Sequence, residues 1–136
     1  MDTRVPTSPA ASTQAAAHAD AASVVWFEVI GQDQARLRAF FSELFNWRFT
    51  STQPTYSVIP EPAKGIPGAV GTSPEGHSWT TFYVQVKDLE ASLRRAVELG
   101  GTQLTPVTQL PGCVRFAVFA DPEGHPIGLV QPPEAA

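Results

Sequence analysis

Two stretches decide the fold of this chain: Val24-Val25-Trp26-Phe27-Glu28-Val29-Ile30-Gly31-Gln32-Asp33 and Trp79-Thr80-Thr81-Phe82-Tyr83-Val84-Gln85-Val86-Lys87-Asp88. They are two copies of one pattern, and their final aspartates are 55 residues apart (88 − 33). Each copy alternates in polarity as a half-buried strand does, then runs through its aspartate into a helical pattern. Two copies of one strand-helix unit in 136 residues predict a small duplicated α+β domain.

The same order of elements follows each copy. Asp33 and Asp88 are typical helix caps, and the helices that they begin are predicted to end at Asn46 and at Gly100-Gly101. Strands are predicted at 24–30, 47–51, 56–60 and 66–72 in the first copy, and at 80–86, 102–109, 113–119 and 126–131 in the second. The sequence therefore predicts the order β-α-β-β-β twice.

Composition sets the domain boundaries. Residues 1–22 hold almost no large apolar side chain, which predicts a mobile N-terminal tail, because such a segment cannot bury enough surface to fold. A single domain is predicted at 23–132, with module one at 23–73 and module two at 79–132, followed by a short C-terminal tail at 133–136. A domain of this size suits one core shared by both modules.

Charge and hydropathy limit which classes of partner and which cellular location are expected. A net charge of −4 with scattered Lys and Arg argues against nucleic acid, and the chain has no apolar run long enough for a membrane span or a signal peptide. We expect a cytoplasmic protein whose partner is a small molecule or a second protein chain. The lone Cys113 fits a reducing compartment and is expected to be a buried small hydrophobe.

The order of elements and several sequence words resemble the vicinal oxygen chelate superfamily of glyoxalases, bleomycin-resistance proteins and dioxygenases. The words are Trp26-Phe27-Glu28-Val29 before Asp33, Phe40-Phe41, Leu44-Phe45-Asn46-Trp47, Phe82-Tyr83-Val84-Gln85-Val86-Lys87-Asp88, Leu99-Gly100-Gly101, and Arg115-Phe116-Ala117-Val118 before Asp121-Pro122-Glu123-Gly124. The resemblance implies curled mixed sheets with helices on the convex side and a ligand cup on the concave side. It also implies that modules pair within a chain or across a homodimer.

Alternation along the strands sorts residues between the two faces of that sheet. The helix-facing set is predicted to be Phe27, Val29, Phe82, Val84, Val114, Phe116, Val118, Ile127 and Leu129. The cup-facing set is predicted to be Trp26, Glu28, Ile30, Thr81, Tyr83, Gln85, Arg115, Ala117, Phe119, Gly128 and Val130. Every residue of unusual chemistry therefore falls on the cup face.

Enzymes of the resembled superfamily bind a divalent metal through His, Gln or Glu side chains. By resemblance, three of those positions are Trp26, Thr81 and Gly128, and the fourth lies near 68–72, which also lacks such a donor. Catalytic metal sites usually need about three imidazole or carboxylate ligands. The sequence therefore favours the metal-free branch, with no metal site and no cofactor.

The polar and aromatic residues of the cup face are the candidate ligand-binding residues. They are Trp26, Glu28, Thr81, Tyr83, Gln85, Arg115 and Phe119. Glu28 and Arg115 could hold a ligand's polar end, with Glu28 also the candidate general base, or could form a structural ion pair. Trp26, Tyr83 and Phe119 suit a flat or apolar ligand, or fill space between modules.

The histidines give weaker signals. His77 and His125 each end a Pro-Glu-Gly-His sequence, but these are 48 residues apart rather than 55, so they occupy different places in the two modules. We expect both in solvated turns, and His18 lies in the tail.

Three functions remain open from the sequence. The favoured one is a metal-independent protein that binds a small aromatic or amphipathic molecule in the cup. The second is an enzyme, a glyoxalase-like lyase or isomerase or a dioxygenase, with a non-standard metal site or Glu28 as base. The third is a dimeric interaction module that binds no ligand.

Overall fold

The computed structural model describes residues 21–60, 64–109 and 114–132. Residues 1–20 of the predicted tail, the residues 133–136, His18 and Cys113 lie outside the described residues. The predictions for these segments are therefore not tested.

The described chain forms one mixed sheet and two helices. The elements are β1 (Ser23–Gly31), α1 (Gln34–Phe45), β2 (Thr50–Gln53), β3 (Tyr56–Ile59), β4 (Gly68–Thr72), β5 (Trp79–Gln85), α2 (Leu89–Glu98), β6 (Thr102–Gln109), β7 (Arg115–Ala120) and β8 (Pro126–Gln131). The strands form an eight-stranded sheet in the order β2-β3-β4-β1-β5-β8-β7-β6. This order confirms the predicted α+β class and the duplicated β-α-β-β-β unit.

The two modules join at the first strands of the two copies. β1 and β5 pair antiparallel at the centre of the sheet, and Phe27 lies opposite Phe82, its counterpart 55 residues later (82 − 27). Each of these strands also pairs in parallel with the last strand of its own module, β1 with β4 and β5 with β8. The duplication therefore places its own signature strands side by side.

Both helices begin as the sequence predicts. The Asp33 side chain accepts a hydrogen bond from the Arg36 backbone N–H, and the Asp88 side chain accepts one from the Ala91 N–H, each at 3.0 Å. These bonds satisfy backbone donors that a helix start leaves without partners. α1 ends at Asn46 in the left-handed conformation, with φ at 59°.

Helix α2 covers the core of module two. Leu89 and Leu93 are buried against Ala117 of β7 and Leu129 of β8. The Leu89 backbone N–H also donates to the Gln131 side chain at 3.0 Å, which ties the start of α2 to the last strand. Burial of such leucines stabilises the module by about 1.5–3 kcal/mol each.

Helix α1 instead carries an aromatic cluster, formed by Phe27, Phe40, Phe41, Phe45, Trp47 and Phe49. The Trp47 ring is the hub, with centroids 5.1–5.3 Å from Phe27, Phe41 and Phe45. A strand was predicted at 47–51, but β2 begins only at Thr50. Trp47 and Phe49 are held in this cluster, so pairing with β3 starts after them.

The predicted face of β7 is wrong. Ala117 lies opposite Leu129 in the sheet and belongs to the α2 core with Phe119, so Arg115, Ala117 and Phe119 face the helices. Phe116 and Val118, on the alternate phase, face the cup. Both phases of this strand carry apolar residues, so alternation in the sequence does not distinguish its two faces. The pairing of β7 with β8 shows which residues face the helices.

Neither helix in the described part of the chain has the length and apolar character needed to cross a membrane.

Candidate functional site

The cup face, which is the face of the sheet opposite the helices, carries a buried carboxylate. Glu28 on β1 is 7% exposed. Its Oε1 accepts hydrogen bonds from Trp79 Nε1 at 3.2 Å and from the Tyr83 hydroxyl at 3.1 Å. Its Oε2 accepts one from the Tyr56 hydroxyl at 2.7 Å. Three aromatic side chains therefore hold one carboxylate.

A fourth ring completes the group. Trp26 Nε1 donates a hydrogen bond to the Tyr56 hydroxyl oxygen at 3.2 Å, and that hydroxyl donates onward to Glu28. We call Trp26, Glu28, Tyr56, Trp79 and Tyr83 the cup cluster. Indole and phenol groups each supply one N–H or O–H donor, and here all four are used within the cluster.

Sheet register brings the cup cluster together from both modules. β1 supplies Trp26 and Glu28, β5 supplies Trp79 and Tyr83, and Trp26 lies opposite Tyr83 in the β1–β5 pair. Tyr56 reaches the same place from β3, two strands away from β1 across β4. The cup cluster therefore forms only when the two modules are joined.

One of these hydrogen bonds, that from Tyr83 to Glu28, joins equivalent positions of the two copies. Glu28 and Tyr83 occupy equivalent positions in the two copies, since they are 55 residues apart (83 − 28), and they are hydrogen-bonded to each other. The two copies thus diverged at this position into an acceptor and a donor. A carboxylate in both copies would place like charges at this distance, which is unfavourable.

The cup cluster keeps both tyrosines protonated. Burial, together with the adjacent Glu28 charge, raises the pKa of Tyr56 and that of Tyr83 well above the ordinary value of 10.0. Ionising either hydroxyl would place a second negative charge beside the carboxylate and remove a donor. Tyr56 and Tyr83 are therefore hydrogen-bond donors throughout the physiological pH range.

The expected pairing of Glu28 with Arg115 is wrong. Arg115 lies on the helix side, where its Nη2 contacts the two carboxylate oxygens of Glu90 on α2 at 2.7 and 2.8 Å. This contact lowers the pKa of Glu90. Within the described residues, Glu28 accepts bonds only from uncharged groups and has no Lys, Arg or His partner.

The other predicted site residues divide between the two faces. Thr81 is buried on the cup face, and its hydroxyl donates to the Pro126 carbonyl oxygen across β5 and β8. Gln85 shares the phase of Tyr83 at the exposed end of β5. Phe119 lies on the helix side and lines an apolar groove of about 540 Å³ between α2 and the turn at Asp121-Pro122. That groove is remote in the fold from the cup cluster.

Two members of the cup cluster were not among the predicted site residues. Trp79 has the same strand phase as Thr81 and Tyr83, so the period-2 pattern was sufficient to find it. Tyr56 gave no such signal. Its place beside Glu28 follows from the β3–β4–β1 order, which the sequence does not state.

The residues at the superfamily's metal positions do not fit a divalent metal. The Trp26 indole and the Thr81 hydroxyl are both engaged as hydrogen-bond donors. A Cβ added at Gly128 would lie 2.2 Å from the Tyr83 ring, so that ring excludes any ligating side chain there. Across the three described segments, no three His, Cys, Asp or Glu side chains gather as metal ligands.

The histidines of the described residues lie in turns, as predicted. His125 is exposed, and its backbone N–H and ring Nδ1 contact the Asp121 carboxylate at 2.9 and 3.0 Å. The backbone bond from His125 is the main cause of the lowered pKa of Asp121. His77 is exposed beside Glu75 at 3.5 Å. These contacts shape the turns, and neither histidine is hydrogen-bonded to a member of the cup cluster in the described residues.

Comparisons with known proteins agree with this architecture. Residues 25–130 match the family profile described as a glyoxalase-like domain. The chain is 30% identical over 112 residues to a glyoxylase-like domain-containing protein of Didymella fabae, covering 72% of this chain and 84% of that one. It is 27% identical over 116 residues to CFP32 of Mycobacterium tuberculosis, covering 78% of this chain but only 44% of that one.

The fold also matches a solved structure. A glyoxalase/bleomycin resistance protein/dioxygenase superfamily member from Vibrio splendidus superposes with a TM-score of 0.59 at 15% identity, covering 81% of this chain and 98% of that one. At this identity the match shows the fold alone. The family match over residues 25–130 shows that the chain belongs to the glyoxalase-like domain family.

Proposed function

We propose that this protein binds a small aromatic or amphipathic molecule on its cup face without a metal. The observation that carries the proposal is the cup cluster, a carboxylate held in one orientation by three hydrogen bonds and lined by four aromatic rings. Small-molecule sites are typically mostly apolar and aromatic with a few placed polar groups. The cup cluster has that composition.

The energetics of Glu28 support a binding role. Burying a carboxylate without a cation is costly, and neutral hydrogen bonds offset the cost only in part. A hydrophobic side chain would fill the same position at lower cost. A carboxylate kept in this position is therefore a candidate for contact with a ligand.

The lining of the face differs from the one predicted. Phe116 and Val118 take the places expected of Arg115 and Phe119, and Val130 lies beside them on β8. The face is therefore more apolar than expected and presents a negative charge without the predicted positive one. Trp26, Tyr56 and Trp79 are half-buried, so their rings remain partly accessible to a ligand.

A ligand screen by thermal shift tests the proposal. Ligands that bind the cup face are expected to raise the unfolding temperature of the wild type and of Trp47→Phe, whose altered ring lies on the helix side. They are expected to lose that effect in Trp26→Ala. Titration with Ni, Mn, Fe or Zn is expected to leave the purified protein metal-free. A ligand that stabilises Trp26→Ala equally, or stoichiometric metal uptake, would contradict the proposal.

A second candidate function, a dimeric interaction module, is favoured by one observation on the opposite face. Phe40, Leu44 and Phe45 on α1 are 53–58% exposed, so the helix presents an apolar surface to solvent. Exposed apolar patches of this kind mark association surfaces. The partner proposed is a second copy of the chain, as the resemblance implies.

Sedimentation at micromolar protein concentration separates the two functions. If α1 forms a dimer contact, Phe40→Ser is expected to shift the protein toward monomer, whereas Val97→Ser, at an exposed position of α2, is not. A wild type that is already monomeric would remove this candidate. It would leave the ligand-binding proposal untouched, because the cup cluster lies within one chain.

A further inference from the structure

The cup face presents a buried negative charge whose bonding partners are all neutral. We infer that the molecule bound there carries a protonated amine, which donates an N–H to Glu28 and lies against the rings of the cup cluster. The inference rests on the proposed function, because it requires a ligand on this face. It adds the charge of that ligand to the proposed function.

The hydrogen-bond inventory of Glu28 leaves one place for such a donor. Oε1 accepts from Trp79 and from Tyr83, whereas Oε2 accepts from Tyr56 alone. An ionised carboxylate offers about four lone-pair sites, two on each oxygen. Oε2 therefore retains one acceptor site, and the Tyr56 bond fixes its orientation.

A charged donor suits this site better than a neutral one. Charge-assisted hydrogen bonds are roughly twice as strong as neutral ones, and a cation also offsets the burial of an otherwise uncompensated carboxylate. The net charge of −4 adds a weak long-range attraction for cations. An anionic ligand would be repelled at the same point.

The rings of the cup cluster surround the carboxylate and suit the apolar body of such an amine. Trp26, Tyr56, Trp79 and Tyr83 all lie within one or two hydrogen bonds of the carboxylate. A carboxylate bordered by two indoles and two phenols is thus suited to an amine attached to an apolar or aromatic body.

The placement of Arg115 strengthens the inference. Had this guanidinium faced the cup, the site would have held a cation already and could have received an anion. Instead Arg115 contacts Glu90 on the other side of the sheet. Glu90 is therefore a matched control for Glu28, since both are glutamates but only Glu28 lies on the cup face.

Three probes of nearly equal shape test the inference by isothermal titration calorimetry on the full chain: phenethylamine, phenethyl alcohol and 3-phenylpropionate. They are a cation, a neutral molecule and an anion at neutral pH. The amine is expected to bind the wild type at least about tenfold more tightly than the alcohol, and the anion most weakly. Glu28→Gln is expected to bring the amine and the alcohol within about twofold, while Glu90→Gln keeps the wild-type ratio.

The outcomes separate this inference from the proposed function. If the alcohol binds the wild type as tightly as the amine, the inference is wrong, and binding on the cup face stands. If the amine and the alcohol fail to bind while the thermal-shift screen finds an anionic ligand that depends on Trp26, the inference is again wrong. If no ligand of any charge binds, the proposed function fails with it. The wild-type comparison does not depend on whether Glu28→Gln folds.

Discussion

The two helices of this duplicated chain begin in the same way but pack differently. Each has an aspartate cap, and the first backbone N–H of each donates to the last strand of its own module, Gln34 to Thr72 and Leu89 to Gln131. Yet α2 buries Leu89 and Leu93, whereas α1 has no buried residue and leaves Phe40, Leu44 and Phe45 exposed. The two copies therefore share the residues that begin their helices, but they differ in how those helices pack against the sheet.

The two modules contribute different parts of the structure. Module two supplies the aliphatic core around Leu93, Ala117 and Leu129. Module one supplies the carboxylate of the cup cluster and, on its other face, an aromatic surface that the described residues leave partly exposed. The helix of module two is thus packed into a core, whereas the helix of module one presents apolar surface to solvent.

The largest effect on stability is expected when one leucine of each helix is replaced by alanine. Leu93→Ala is expected to lower the free energy of unfolding by about 3 kcal/mol, because it empties a buried site. Leu44→Ala, at a position 58% exposed, is expected to cost less than about 1 kcal/mol in the same urea titration. Equal losses would contradict the comparison, and a large loss at Leu44 alone would indicate that a second chain covers α1.

The second-largest effect is expected at alkaline pH, where the protein loses stability. It tests the hydrogen bonds by which Tyr56 of module one and Tyr83 of module two hold Glu28. Because the folded-state pKa values of Tyr56 and Tyr83 are raised above 10.0, their contribution is complete below pH 10 and declines as pH rises toward the folded values. The decline is up to about 1.4 kcal/mol per pH unit for each tyrosine.

The chain makes this measurement direct, because it contains only two tyrosines. Tyrosinate absorbance in the near ultraviolet is expected to appear only as the protein unfolds. In Tyr56→Phe the remaining absorbance change comes from Tyr83 of module two, and in Tyr83→Phe it comes from Tyr56 of module one. A folded protein in which either tyrosine ionises near pH 10 would show that its bond to Glu28 is absent in solution.

The smallest effect is expected at the caps, where the modules are alike. Asp33→Ala and Asp88→Ala should each lower stability by about 1 kcal/mol, and Asp→Asn at either position should restore most of it, because asparagine also caps helices. Thermal denaturation followed by circular dichroism measures both. A large difference between the two alanine variants would mean that the helices differ in their starts as well as in their packing.

Much of the architecture followed from the sequence because its determinants are local. Asp33 and Asp88 cap helices through bonds to backbone three residues away, and strands β6 and β8 have the predicted bounds. The phase of β1 and β5 was also predicted, because the polar residues Glu28, Thr81 and Gln85 fall on one phase, whereas Phe27, Val29, Phe82 and Val84 fall on the other.

The site was only partly predictable. Trp26, Glu28, Thr81 and Tyr83 lie on the predicted face, since their strands alternate clearly. Arg115 and Phe119 do not, because β7 offers apolar residues on both phases and its face depends on the pairing with β8.

By itself, the sequence determined that two β-α-β-β-β units are joined, where their helices begin, and that residues suited to metal binding are missing from the superfamily's positions. The first two conclusions follow from periodicity and residue chemistry, and the third also depends on the family resemblance, which gives those positions. Only the tertiary structure decided that Tyr56 joins Tyr83 beside Glu28, that Arg115 contacts Glu90 instead, and that the described residues leave α1 exposed. Each of these depends on the order and register of strands distant in sequence, and hydrogen bonds between such strands are fixed only when the whole sheet assembles.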